Sequence, residues 1–160
     1  MAPDLEAGTF RGLAALARNW NAFTLFFQDV QIRLGRLDEI AENSLVATTT
    51  TSITITRNSL CYIFPHLMRH GLDRGEGGNQ WSHIASSLLN RRIVMSGSVH
   101  FNWDSANKRV VGLFTQADMV SPLLHLLGSL EDISRIFTNA LIDPECNLID
   151  MKYLDKYKVW

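Results

Sequence analysis

The sequence offers one pair of side chains whose types suit acid and base chemistry. His100 is a candidate base, because a carboxylate beside an imidazole raises its basicity, and Asp118 or Asp104 could supply that carboxylate. On its strand, however, His100 alternates with Phe101 and points away from it, so we expect the pair not to converge in a pocket. A surface or dimer-facing histidine, and a turn or cap role for Asp118, are the alternative interpretations.

The remaining reactive side chains predict no metal, cofactor or nucleophile site. His66 and His70 have the spacing of some helical zinc sites, but no glutamate lies between them in the required order, and Pro65 disturbs the helix. Cys61 and Cys146 have no partner histidine that the sequence identifies, so we expect free, inert thiols.

A hairpin is the clearest structural signal in the chain. Its first strand alternates apolar with polar side chains, as a half-buried strand must. The apolar set is Val99, Phe101 and Trp103, and the polar set is Ser98, His100 and Asn102. A polar connection of hairpin length leads to a return strand, and an apolar helix then stops at Gly128. The return strand carries Val111, Leu113, Thr115 and Ala117 on one side.

Three other elements follow from periodicity and propensity. Apolar residues at three- and four-residue steps predict a long helix or helix pair from about Thr9 to Ala41. The β-branched run at residues 45–56 predicts a strand, and its even positions form a hydroxyl row that faces water, a dimer interface or a polar pocket. Ser129 followed by Asp132 predicts a capped helix that continues to Ile142.

Composition restricts the class of protein. The chain has 160 residues and a net charge of −1, which suits one domain and argues against direct nucleic-acid contact, since phosphate binding needs clustered basic side chains. No secretory signal and no stretch of about 20 apolar residues is present, so we expect an intracellular protein, nuclear or cytoplasmic, without membrane contact.

This order of elements predicts an α+β fold with a bent antiparallel sheet. The strand ending in Asp104, the return strand ending in Asp118 and the closing LLHLLG resemble the terminal strands of the SnoaL-like branch of the nuclear transport factor 2-like cone fold. The resemblance implies a single domain in which a curved sheet wraps around N-terminal helices. We expect a flexible N-terminus at residues 1–8, a cone core at 9–128 and a C-terminal helical extension at 129–160.

A second resemblance covers about residues 20–150. The phrases SLVATTTTSITIT, YIFPHL, RRIVMSGSVHFNWD and QADMVSPLLHLLGSLEDISRIF resemble the region that follows the zipper in oomycete basic leucine zipper transcription factors. This implies a regulatory module. Before Trp20 there is neither a basic region nor a leucine heptad series, so the part that reads DNA is missing, as in an excised domain or a standalone relative.

Two functions from different classes remain open. The first is a non-catalytic regulatory module that serves small-molecule sensing, dimerisation or both. In that case aromatic side chains would line an apolar cavity, namely Trp20, Phe27, Tyr62, Phe101 and Trp103. The alternative is a small SnoaL-like isomerase, cyclase or dehydratase that uses His100 and Asp118. A third, weaker hypothesis is a mimic that competes with the full-length factor for its dimer partner. Fold analogy predicts a homodimer.

Overall fold

The structure is a computed structural model that describes the backbone of residues 6–7, 10–11, 13–72 and 78–149, and the side chains of 17, 19–68 and 83–149. The chain begins with strands β1 (Glu6–Ala7) and β2 (Phe10–Arg11), helix α1 (Leu13–Phe26), and strands β3 (Phe27–Ala41) and β4 (Ser44–Ile55). Helices α2 (Arg57–Tyr62), α3 (Pro65–Leu72) and α4 (Gly78–Leu88) follow. The chain then forms strands β5 (Arg92–Asp104) and β6 (Arg109–Ala117) and helices α5 (Val120–Leu127) and α6 (Leu130–Phe137).

The strands form one sheet in the order β2-β1-β6-β5-β4-β3. The four long strands are antiparallel to their neighbours, whereas β1 runs parallel to β6. The predicted hairpin is confirmed, since Val99 pairs with Thr115 and Phe101 with Leu113. The α+β class and the curved antiparallel sheet are therefore confirmed.

The prediction of helix through to Ala41 is wrong, because α1 ends at Phe26 and the following residues form β3. The apolar residues of β3 pair with β4 as Ile32 with Thr51 and Leu34 with Thr49, and the register then shifts before Leu37. A bulge places one extra residue between Leu34 and Leu37, so both lie on the same face of the strand. The resulting three-residue step imitates the period of a helix.

The two faces of β4 differ in burial. Its even-numbered residues lie on the outer face, where Thr48 and Thr50 are exposed. The hydroxyl row predicted from these positions therefore faces away from the interior. The odd-numbered residues lie on the opposite face, called here the inner face, and are buried there. They include Ala47, Thr49, Thr51, Ile53 and Ile55.

The hydrophobic core fills one end of the inner face. The helices cover this end with fully buried side chains, including Phe64, Leu67, Ile84 and Leu123. The sheet contributes Ile53, Ile55, Ile93 and Met95 to the same cluster. Further along the strands the inner face carries Val99 and Phe101, which lie outside this cluster. The other end of the inner face, which carries Val99 and Phe101, is therefore not part of the hydrophobic core.

The turn between β4 and α2 is held by a capping box on Thr56. The Thr56 side chain accepts a hydrogen bond from the Ser59 amide at 3.2 Å, and the Ser59 hydroxyl accepts one from the Thr56 amide at 2.9 Å. Both hydroxyls also donate to the carbonyl oxygen of Phe26, which fixes the end of α1 against α2. Helix α3 restarts at Pro65, a position that tolerates proline because it needs no amide donor.

Helix α5 ends where the sequence predicts, whereas helix α6 ends earlier than predicted. Gly128 ends α5 with a φ of 73°, and Ser129 caps α6 by accepting from the Asp132 amide at 3.3 Å. Helix α6 stops at Phe137 instead of Ile142. The later residues turn back to the sheet, where the Ala117 amide donates to the Glu145 carbonyl at 3.0 Å. No helix in the described ranges is long and apolar enough to span a membrane.

A cavity between helix α1 and the inner face of the sheet

A cavity of about 520 Å³ lies beside the core. Helix α1, the inner face of the four long strands and the segment at residues 145–147 line it, and one side is open to solvent. Its walls are mainly apolar, with Trp20, Phe23, Ile32, Val99, Phe101 and Leu113 among them. Small-molecule sites in proteins have volumes of roughly 300–1,000 Å³ and mainly apolar walls. The cavity therefore has the size and the lining of such a site.

Strand register explains why these side chains meet. Directly paired residues of antiparallel strands share one face of the sheet. Val99 pairs with both Ala47 and Thr115, which places one row of the inner face across three strands. The neighbouring row runs from Thr49 through Gly97 to Ala117, and Gly97 has no side chain to cover the sheet.

Gly97 also sets how closely two strands approach. A Cβ atom at this position would lie 2.1 Å from the carbonyl oxygen of Gln116 and 2.9 Å from the Cα of Ala117. Both are backbone atoms of β6, so the strand would have to shift. The absence of a side chain at Gly97 thus allows β6 to lie where it closes the cavity.

A few polar groups interrupt the apolar lining. Thr49 and Thr51 lie next to one another on the inner face of β4 and are only 7% and 8% exposed. Asn19 contributes from α1, on the opposite wall. Its Oδ1 atom is buried, and no described residue donates a hydrogen bond to it. A buried acceptor without a donor costs about 1–3 kcal/mol.

Among the described lining residues, the charged group lies in the segment 145–147. Glu145 lines the cavity and is exposed, whereas the neighbouring Cys146 thiol is held in its neutral form. Burial, helped by the carboxylate of Asp143, raises the pKa of Cys146 to about 12. Among the residues that the structure describes, no lysine, arginine or histidine lines the cavity.

The five aromatic residues proposed from the sequence lie in different places. Trp20 and Phe101 line the cavity. Phe27 is 1% exposed and belongs to the core, where its ring lies 4.9 Å from that of Phe23. Tyr62 packs on the ring of Phe26 at 5.5 Å, also beside the core. Trp103 is 40% exposed at the hairpin end of β5, where its amide donates to the carbonyl of Asn43.

His100 and Asp118 do not meet in the cavity. His100 lies on the outer face, where strand alternation places even-numbered residues of β5. Asp118 instead lies just before α5, where its carboxylate accepts hydrogen bonds from the Ser121 amide at 3.1 Å and from the Ser121 hydroxyl. These bonds lower the pKa of Asp118. Asp104 plays a similar part in the hairpin connection, where it accepts from Asn107, mainly through the side chain, and its pKa is also lowered.

The other histidines and cysteines form no metal site in the described ranges. His66 is buried, and its Nε2 lies 2.9 Å from the carbonyl oxygen of Arg135, which joins α3 to α6. The side chain of His70 lies outside the described residues. Cys61 is a free thiol, and no group of three or more potential ligands occurs among the described side chains.

Sequence reasoning missed several of the lining residues. Thr49 and Thr51 could have been found, because apolar Ala47 and Ile53 flank them at the same parity, which assigns all four to one face. No periodicity in the sequence marks Asn19 as a lining residue. The same is true of residues 145–147, which are distant in sequence from β6 and are held against it by the hydrogen bond from the Ala117 amide to the Glu145 carbonyl.

Solved structures of other proteins share the fold of this chain. A nuclear transport factor 2-like protein from Burkholderia thailandensis aligns over 79% of this chain and 78% of its own, with 12% identity and a TM-score of 0.50. This chain therefore has the cone fold of nuclear transport factor 2-like proteins. A protein of the same fold from Burkholderia pseudomallei, of unknown function, has 11% identity and a TM-score of 0.50 over 81% and 80% of the chains.

A further similar structure is a SnoaL-like polyketide cyclase from Agrobacterium tumefaciens, with 14% identity and a TM-score of 0.49 over 76% and 75% of the chains. No protein-family profile and no curated protein sequence matches the chain. At such low identities, likeness to solved structures supports the fold and leaves the ligand to be argued from the cavity.

Proposed function

We propose that this protein binds a small, mainly apolar organic molecule in the cavity beside α1. The observation that carries the proposal is a hollow of about 520 Å³ adjoining a fully buried core. Part of its apolar wall is open to solvent, since Trp20 is 45% and Ile32 is 44% exposed. These walls would gain from covering by an apolar ligand.

A SnoaL-like enzyme is the second candidate, and it shares the same cavity. The cone fold, which the chain has in common with SnoaL-like proteins, supports this candidate better than a regulatory module of a leucine zipper factor. His100 and Asp118 would not be its acid and base, because they do not line the cavity. Glu145 is the carboxylate among the described lining residues, so proton transfer would occur at the mouth.

A pair of tryptophan substitutions tests whether the cavity binds ligands. Val99 is 8% exposed and lines the cavity, whereas Val94 lies on the same strand, on the outer face, and is 53% exposed. We expect wild-type protein to bind Nile red, an uncharged apolar dye, with an increase in dye fluorescence. Val99→Trp should weaken that increase by occupying part of the cavity, and Val94→Trp should retain it. Equal binding by both variants would contradict the proposal.

Glu145→Gln tests whether Glu145 would transfer the proton in such an enzyme. If the cavity supports turnover of a bound molecule by proton transfer, this variant should retain binding and lose turnover. Retained turnover would remove Glu145 from the mechanism.

We also propose, from the fold alone, that the protein forms a homodimer. The outer face of the sheet is available for such contact, since Thr48, Thr50, Val94 and Ser96 are exposed there. Sedimentation velocity at micromolar concentration should then show a dimer, and a monomer alone would contradict this proposal.

A further inference from the structure

We infer that the ligand of this cavity is an uncharged, mainly apolar molecule with at least one hydroxyl group. This inference rests on the proposed function, because it names the class of molecule that the same site accepts. Three features of the lining support it: an unpaired amide oxygen, a pair of threonines on the facing wall, and the sign of the nearby charge.

The first feature is Asn19. Its Oδ1 is a buried acceptor that receives no hydrogen bond from a described residue, although Asn19 lines the cavity. A buried acceptor is stabilised by a donor, and a ligand hydroxyl is an uncharged donor of the right kind. As placed, this oxygen is inaccessible to a water-sized molecule, so it meets a ligand once the carboxamide rotates about its broad χ2 torsion.

The second feature is the pair formed by Thr49 and Thr51. Both line the wall of β4, and both are almost fully buried in an otherwise apolar lining. Residues two apart on a strand lie about 7 Å from one another on the same face. A threonine hydroxyl can donate or accept, so this wall is able to bind a ligand oxygen in either role.

The third feature is charge. No basic side chain lines the cavity among the described residues, and the charged group at its mouth is the carboxylate of Glu145. A carboxylate or phosphate on the ligand would lose its hydration without gaining a counterion. The described part of the lining therefore offers no counterion to anions such as fatty acids and nucleotides, and it suits uncharged molecules.

Three probes with the same ring system test this inference by isothermal titration calorimetry at pH 7: 2-naphthol, 2-methylnaphthalene and 2-naphthoate. We expect 2-naphthol to bind wild-type protein about threefold to tenfold more tightly than 2-methylnaphthalene, the difference typical of one neutral hydrogen bond. The anion 2-naphthoate should bind more than about tenfold more weakly than 2-naphthol.

Matched variants then identify the groups that cause this preference. Thr49→Val with Thr51→Val keeps the side-chain shape, removes both hydroxyls, and should reduce the preference for 2-naphthol over 2-methylnaphthalene to less than about twofold. Asn19→Leu should weaken the preference in the same direction. Thr50→Val, on the exposed outer face of the same strand, should leave it unchanged.

The outcomes distinguish the two proposals. Equal affinity of wild-type protein for all three probes, tighter binding of 2-naphthoate, or a hydroxyl preference that survives in both the threonine and Asn19 variants would overturn the inference while leaving a binding cavity. If neither 2-methylnaphthalene nor 2-naphthol binds at all, the proposed function itself is overturned.

Discussion

Replacing Gly97 with alanine should destabilise the protein, because the new methyl group has no space. Its Cβ would lie 2.1 Å from the Gln116 carbonyl oxygen, and heavy atoms that are not hydrogen-bonded do not approach so closely. The obstructing atoms belong to the backbone of β6, which is held to β5 by ladder hydrogen bonds and cannot rotate away as a side chain can.

The size of the effect follows from two opposing contributions. Overpacking of a folded structure costs about 1–3 kcal/mol, and a clash with backbone belongs in the upper part of that range. A change from glycine to alanine also restricts the unfolded chain, which stabilises by about 0.4–1 kcal/mol. We therefore expect a net loss of about 1–2 kcal/mol in the free energy of unfolding. For a chain of this size, that lowers Tm by about 2–8 °C.

Gly112→Ala is the matched control, since Gly112 lies on the partner strand of the same hairpin. Its Cβ would meet side-chain atoms, with Asn102 Nδ2 at 2.9 Å and a ring carbon of Phe114 at 3.2 Å, and these can move. Urea unfolding monitored by circular dichroism should show a larger loss for Gly97→Ala than for Gly112→Ala. A Gly97→Ala variant as stable as wild type, or one less affected than Gly112→Ala, would refute this reasoning.

Further predictions follow from other contacts. His100→Ala and Asp118→Asn should leave Nile red affinity within about twofold of wild type, as equilibrium titration would show, because neither residue lines the cavity. Hydrogen bonds from Ser121 lower the pKa of Asp118, so the stability that the Asp118 carboxylate contributes is present above the ordinary pKa of 3.8 and is lost as pH falls through the lowered pKa. Urea unfolding of wild type and Asp118→Ala across this range should show that the difference in their free energies of unfolding shrinks in acid. At pH 8 Cys146 should react with iodoacetamide about a thousandfold more slowly than an ordinary thiol, because its pKa is about 12 instead of 9.0, and mass spectrometry of labelled peptides measures the rate. Thr56→Ala should cost about 1 kcal/mol in urea unfolding through loss of the α2 cap, and an unchanged midpoint would contradict that assignment.

Patterns within a few residues of one another predicted the β5–β6 hairpin and the cap of α6. Strand alternation gave the hairpin and placed His100 on the face opposite Phe101, which the register confirms. The cap at Ser129 was likewise visible, because a cap depends on residues within a few positions. Strand β3 was not predicted, since the bulge between Leu34 and Leu37 makes a strand repeat its apolar residues at helical spacing.

The cavity depends on contacts between distant parts of the chain, so the sequence predicted it only in outline. Asn19 on α1 and Glu145 near the C-terminus approach the same strands, and no spacing along the chain records this. Aromatic character alone could not separate Phe101, which lines the cavity, from Phe27, which fills the core. Both are apolar, and their burial depends on which part of the inner face the helices cover.

Methyl-region NMR of the protein with 2-naphthol tests most directly whether a molecule occupies the cavity. We expect the methyl signals of Ile32, Val99 and Leu113 to shift on titration and to show intermolecular nuclear Overhauser effects with the probe. The signals of Val94, on the outer face, and Ile133, in the core, should stay unchanged. Shifts confined to Val94 and its neighbours, or no shifts at all, would contradict the central claim.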